Sequence, residues 1–321
     1  MDTFSTVLDT HRARGAFVLR CEMTSPWAIE VRDEASVAVL VMVRGTASLT
    51  ARDGASVAMG PGDVAVVKAT QPYVFADRPT TPARIVIGPG GGCVNLGGEN
   101  LSMTMGLGTR TWGNAAIGDA SFVTATWDLT SEATARLLDA MPDIAVIPAA
   151  SWDAPLVDLL GTELARDLPG QDVVLDRLVD LVLVAAVRHW FGARPDTAPP
   201  WWAASSDLVV GQVLSWMHDE PGHPWTLDGL AARAGVSRAT LARRFATLVG
   251  QSPMAYLTHW RLARGADLLH DTTMTVERIA REVGYASPFS FTTTFKRRYG
   301  VAPRDSRARR RHGAAPQDEA V

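Results

Sequence analysis

One stretch of this chain is written twice. Leu230-Ala231, Gly235, Phe245, Gly250 and Pro253 recur as Ile279-Ala280, Gly284, Phe295, Gly300 and Pro303. The offset is 49 residues up to the glycine and 50 beyond it, so the second copy carries one extra turn residue. Each copy reads as a helix, a glycine turn, a serine N-cap (Ser237, Ser287), a second helix and then Gly-x-x-Pro. That order of elements is a helix-turn-helix.

Helical spacing says how the second helix of each copy faces. At about 100° per residue, Leu241, Phe245 and Leu248 share the face that must be buried. Ala239, Ala242, Arg243 and Ala246 lie opposite, flanked by Arg238 and Arg244. A small face with one central arginine fits the major groove of double-stranded DNA, where Arg243 can span guanine O6 and N7. The flanking arginines fall where phosphates run. In the second copy Phe291 and Phe295 point inward, while Phe289, Thr292, Thr293 and Lys296 point away. Phe289 suits a thymine methyl. Ser290 and Thr293 suit base edges or phosphates, and Lys296 and Arg297 add positive charge. A single amphipathic helix bearing arginines is ordinarily a solvated face. Two in matched frames argue otherwise.

Charge separates the chain into halves. Residues 1–206 hold 15 Lys/Arg against 23 Asp/Glu, a net of −8, whereas residues 207–312 hold 16 against 9, a net of +7. An acidic half joined to a basic half predicts that only the second meets a polyanion. At this point residues 207–303 resemble the DNA-binding domain of AraC/XylS-type bacterial transcription regulators. The pattern is carried by Gly250-Gln-Ser-Pro253, Tyr256-Leu257, Arg261-Leu262, Ala266 and Leu268-Leu269. It continues in Val276, Ile279-Ala280, Gly284-Tyr285, Ser287, Phe295-Lys296-Arg297, Gly300 and Pro303. The resemblance implies two helix-turn-helix units on one rigid linker helix, entering successive major grooves. After Pro303 the family usually continues with Tyr-Arg. This chain has Asp305-Ser306 and then an RARRRH run, Arg307 to His312, expected to be an irregular phosphate-contacting arm.

The first half has strand character. The runs 36–43, 46–52, 55–59, 64–68, 83–87 and 121–127 are short, β-branched and punctuated by Gly, Asp and Pro, with Asp53-Gly54 a hairpin signal. Such a pattern predicts a sandwich or small barrel. Residues 5–150 resemble the cupin-like sensor domain of one branch of the same family, through 14–31, "VRGTASL" (43–49) and "GPGDVAVV" (60–67). Enzymatic cupins hold a metal through histidines on these strands. No histidine occurs between His11 and His189, so neither a metal centre nor any other cofactor is expected. The expected fold is therefore an all-β cupin-like barrel with a helical extension, followed by an all-α domain with two helix-turn-helix motifs.

The expected boundaries are 1–150 for the sensor, 151–192 for a helical dimerisation segment and 193–206 for a Pro/Ala/Ser-rich linker. Residues 207–305 form the DNA reader and 306–321 a tail. Leu156, Leu159, Leu160 and Leu164 recur at helical spacing, and residues 172–191 form a helix apolar around most of its girth. Trp27, Phe75 and Trp127 either line an effector pocket or are simply core. The glycine-rich segment 88–114 reads as an irregular insert and holds Cys93. Cys93 with Cys21 makes a redox pair only if the two are close and one is exposed and thiolate-prone.

The reading that unites these features is a cytoplasmic, homodimeric, sequence-specific transcription regulator governed by a small molecule or an oxidant, with RNA polymerase as a further partner if it activates. No run is long enough to span a membrane, the longest being Leu181 to Val187. A cupin-type enzyme carrying a DNA-binding tail is the alternative, and a nonspecific chromosome-organising protein the third. Neither zincin nor nucleophile-elbow motifs occur to support an enzyme.

Overall fold

The structure, a computed structural model, describes residues 17–108, 110–127, 137–152, 155–164, 166 and 168–307. The β-branched runs form β1 (Phe17–Met23), β2 (Ala28–Val31), β3 (Val37–Arg44), β4 (Ala47–Thr50) and β5 (Ser56–Met59). They continue as β6 (Val64–Val67), β7 (Tyr73–Ala76), β8 (Ile85–Ile87) and β9 (Cys93–Asn95). After these come β10 (Gly106–Gly108), β11 (Thr111–Gly113), β12 (Ala120–Trp127) and β13 (Ile144–Ile147). One sheet runs β10-β11-β1-β12-β3-β6-β13 and the other β5-β4-β7-β2-β8-β9.

Register explains how the sheets meet. Phe122 lies between Cys21 of β1 and Met42 of β3, and Phe75 between Ile29 of β2 and Leu49 of β4. The two rings meet edge-on at 4.8 Å, with Trp27 5.4–5.5 Å from both. This aromatic triad joins the inner faces. At the β3–β4 turn Gly45 takes φ 77°, and a Cβ there would strike the backbone of Asp119 and Ala120.

The most deeply buried carboxylate among the described residues of this unit belongs to β1. Glu22 is 2% exposed. It accepts from Arg20 Nη2 (2.6 Å), Ser121 Oγ (2.7 Å), Arg44 Nη2 (3.0 Å) and Gly118 N (3.1 Å). Burial alone would raise its pKa. The bonds from Ser121, Gly118 and Arg20 outweigh burial and hold it below the usual carboxylate range.

The segment 88–114 departs from expectation. It is built of β9, β10 and β11, which extend an edge of each sheet, so Cys93 sits on a strand and is buried. Edge pairing needs only backbone donors and acceptors, and therefore leaves little trace in a glycine-rich sequence.

Two helices follow within the same unit, α1 (Pro155–Leu164) and α2 (Gln171–Ala193). Leu175, Leu178, Val179, Val182, Leu183 and Ala186 of α2 are buried, while Val173, Val174 and Leu181 are exposed.

A second compact unit begins at Ala198. Inside the stretch expected as linker lies α3 (Pro200–Ala204), whose Ala204 is fully buried in the core of this second unit. Proline starts the helix rather than breaking it, because the first turn needs no N–H bond. Next come α4 (Val210–Asp219), α5 (Leu227–Arg233), α6 (Arg238–Val249), α7 (Pro253–Asp271), α8 (Val276–Glu282) and α9 (Pro288–Tyr299).

Two apolar cores hold the second unit. The first gathers Val210, Leu214, Leu230, Leu241, Phe245 and Leu257; the second gathers Leu262, Leu269, Ile279, Phe291 and Phe295. Helix α7 supplies both. In the first core His218 is buried, with Nε2 2.7 Å from the Tyr256 hydroxyl and its ring 4.0 Å from Trp260. Burial pushes its pKa down to about 3.

Candidate nucleic-acid interface and cavity

The written repeat is a repeat in space. Thr226 caps α5 through Gly229 N, and Thr275 caps α8 through Arg278 N. Ser237 caps α6 through Thr240 N, and Ser287 caps α9 through Ser290 N. Both second helices stop at a left-handed glycine, Gly250 (φ 77°) and Gly300 (φ 75°). Capped at both ends and anchored by two buried residues each, Leu241 and Phe245 or Phe291 and Phe295, α6 and α9 present fixed faces.

Those faces match the helical-wheel reading closely. Ala239, Arg243 and Ala246 are exposed, and Ala242 is half-buried. On α9, Thr293, Lys296 and Arg297 are exposed, and Phe289 is 81% exposed. Arg238 reaches Asp228 at 3.4 Å, with both side chains well exposed.

Three of the expected contact residues also bond within the protein. Arg244, placed on the phosphate flank, gives Nε (3.0 Å) and Nη2 (2.6 Å) to Asp207. The same carboxylate accepts from Val209 N and Val210 N at the start of α4. Burial would raise the Asp207 pKa, but these bonds hold it low. The pairing spans 37 residues, beyond what a helical wheel shows. Ser290, placed on the reading face, turns its hydroxyl back to Ser287 O at 2.8 Å. Arg307, placed in the basic arm, donates to Leu269 O in the last turns of α7 and to Met274 O in the loop before α8. The rest of that arm lies outside the described residues.

The strand unit encloses a cavity of about 480 Å³ between its sheets. Leu19, Ile29, Phe75, Phe122 and Trp127 give it apolar walls, and Asp33, Tyr73 and Arg110 give it polar ones. Of the aromatic candidates, Phe75 and Trp127 reach the cavity, whereas Trp27 is core behind Phe75 and Phe122. The buried Trp127 Nε1 finds no acceptor among the described residues. Cys21 and Cys93 both line this space and are free thiols. Neither is exposed, so the condition set for a redox pair, one exposed and thiolate-prone member, is not met. Burial, and for Cys21 also the neighbouring Cys93 and Glu22, pushes their pKa values up.

The role of Arg110 is not legible in the sequence, because its partners lie more than sixty residues away. Its φ is 50°, and its Nε meets Asp172 Oδ1 at 2.6 Å while Nη1 lies 3.5 Å from Asp176 Oδ1. It thereby ties the cavity wall to the first turns of α2. Among the described residues no three His, Cys, Asp or Glu converge as a metal site, and no helix is long and apolar enough to cross a membrane.

Known proteins share both parts of this architecture. A cupin family model matches residues 2–192 and a helix-turn-helix domain model matches residues 230–309. A putative AraC-like transcription regulator of Streptomyces antibioticus is 35% identical over 185 residues, 56% of this chain and 61% of that protein. A similarly named protein of Streptomyces lividans is 35% identical over 53% of this chain and 58% of its own length. These matches thus span about three fifths of either relative. The HTH-type transcriptional regulator AlkR of Acinetobacter baylyi is 24% identical over 318 residues, 96% of this chain and 99% of that one. The DNA-binding domain of AdpA, solved with a target DNA, is 32% identical over 35% of this chain and all of its own, with a TM-score of 0.32. The chain belongs to the family of AraC-type helix-turn-helix proteins that carry an N-terminal cupin domain.

Proposed function

We propose that the protein is a sequence-specific transcription regulator, not an enzyme, that sets α6 and α9 into successive major grooves of double-stranded DNA. The observation that carries this reading is the pair of doubly capped helices with exposed faces on one scaffold, within the half of the chain that is net positive. Arg243 is free to lie along a guanine edge, and Ala239 and Ala246 let the backbone approach closely. Lys296 and Arg297 lower the cost of approaching phosphates. The exposed Val173, Val174 and Leu181 on α2 support a homodimer through 151–192, which would double the number of readers.

Arg243→Ala is expected to cost about 1–3 kcal/mol at one base pair and to relax preference there. Binding of the full chain to duplexes selected from a random pool, at fixed salt, measures it. An equal loss on every sequence would contradict base reading by Arg243.

The signal is proposed to enter the cavity, whose volume and mostly apolar wall suit a small molecule that offers an acceptor to Trp127 Nε1. A second reading, oxidation of the thiols, has their place on one cavity wall in its favour and their burial and raised pKa values against it. There a peroxide takes two electrons and two protons from Cys21 and Cys93, closing one S–S bond. On that reading, mild hydrogen peroxide changes the affinity for selected DNA by about 5-fold or more, and Cys21→Ser or Cys93→Ser abolishes the change. An unchanged response in both variants would leave the non-covalent ligand.

A further inference from the structure

We propose that Arg261 is a positioning residue that locks the first helix-turn-helix to the second and thereby fixes which separation of half-sites the protein accepts. The proposal rests on the two-reader mode above.

The two cores of the second unit are separate clusters, and α7 passes from one to the other. Leu257 closes the first core and Leu262 opens the second. Arg261 stands at that junction. Its Nε donates to Pro221 O and its Nη2 to His223 O, both at 2.7 Å. Those carbonyls belong to the loop between α4 and α5, part of the first motif. Opposite them comes the turn of the second motif. A Cβ on Gly284, which already has φ 81°, would lie 2.7 Å from Arg261 Nη2 and 2.9 Å from Pro221 O. A Cβ on Gly222 would lie 2.7 Å from Glu282 O.

Loop and turn therefore approach backbone to backbone, with glycine on each side, and the guanidinium is wedged between them. Both of its bonds go to main-chain carbonyls, and it is half-buried against Tyr285. A planar guanidinium holds two acceptors in fixed geometry, which a flexible ammonium cannot reproduce. Helix α7 alone would leave the motifs joined by one rod, able to bend and twist. The clamp adds a second attachment away from the rod and removes that freedom. Each base pair inserted between half-sites moves one box by about 3.4 Å along the helix and rotates it by roughly 34°. A rigid pair of readers tolerates one such separation; a hinged pair tolerates several.

The test uses full-length protein and a duplex selected by it from a random pool, with one or two base pairs then inserted or removed between the two boxes. The wild type is expected to lose about tenfold or more in affinity per step, a magnitude in the range for a lost base-specific contact. Arg261→Ala and Arg261→Lys are expected to bind the optimal duplex more weakly and to flatten the spacing dependence to a few-fold. Gly222→Ala, which pushes on the same seam from an exposed loop, is expected to flatten it too, and circular dichroism melts show whether each variant is folded. If folded Arg261 and Gly222 variants keep the full spacing penalty, the proposal is overturned while the two-reader reading stands. If the wild type selects a single box with no partner at fixed spacing, the two-reader reading falls and this proposal falls with it.

Discussion

Glu22→Ala is expected to remove about 3–5 kcal/mol from the strand unit, the usual cost of breaking a buried ion pair by deleting one partner. The substitution strands the Ser121 hydroxyl and the Gly118 N–H inside the sheet and takes the shared anion from Arg20 and Arg44. The side chains of Arg20 and Arg44 are 27% and 48% exposed, so both can recover water, which places the effect towards the lower end. A domain of this size loses roughly 2–4 °C of melting temperature per kcal/mol. Glu22→Gln keeps an acceptor and should cost less. Melting of the full chain, followed by hydrogen exchange of peptides from 17–127, measures both. A loss below about 1 kcal/mol for the alanine variant would mean that the network is a surface pair, with no buried role. Because the folded carboxyl titrates below its unfolded value, its contribution is present above about pH 4.3 and fades as the pH falls through the folded value.

The second large effect is acid sensitivity of the helical unit. His218 has a folded pKa of about 3 against an ordinary value near 6.5. Across that window the unfolded chain binds a proton that the folded chain refuses. Stability is therefore full above about pH 6.5 and declines by about 1.4 kcal/mol per pH unit below it. Between about pH 7.5 and pH 5 the loss is about 2 kcal/mol. His218→Phe keeps the stacking on Trp260, gives up the bond to Tyr256 and should make the profile flatter across this range. Hydrogen exchange of peptides from 207–300 at the two pH values tests it. An equally steep decline in the variant would assign the acid response to another group.

The contrast between Arg243 and Arg244 shows what the sequence could reveal. Both are adjacent, charged and on one side of α6, and the helical period placed both away from Leu241 and Phe245. Only the fold brings Asp207 back across 37 residues to occupy Arg244. The same holds for Arg110 with Asp172 and Asp176, and for Arg261 with Pro221 and His223. Period, capping serine and turn glycine are local, so the repeat and the exposed faces of α6 and α9 are legible in the sequence. Pairings at long separation leave no local trace. β9 through β11 are not legible in the sequence for a related reason: strands that add to a sheet edge through backbone bonds need no particular side chains, and three of their nine residues are glycine.

Helix α7 carries a consequence beyond placement. Because one uninterrupted helix contributes Leu257 to one core and Leu262 to the next, neither motif can breathe without fraying the rod that its neighbour also stands on. Damage to one motif is therefore inherited by the other. A lesion deep in the first core would unsettle both motifs together, not one of them alone.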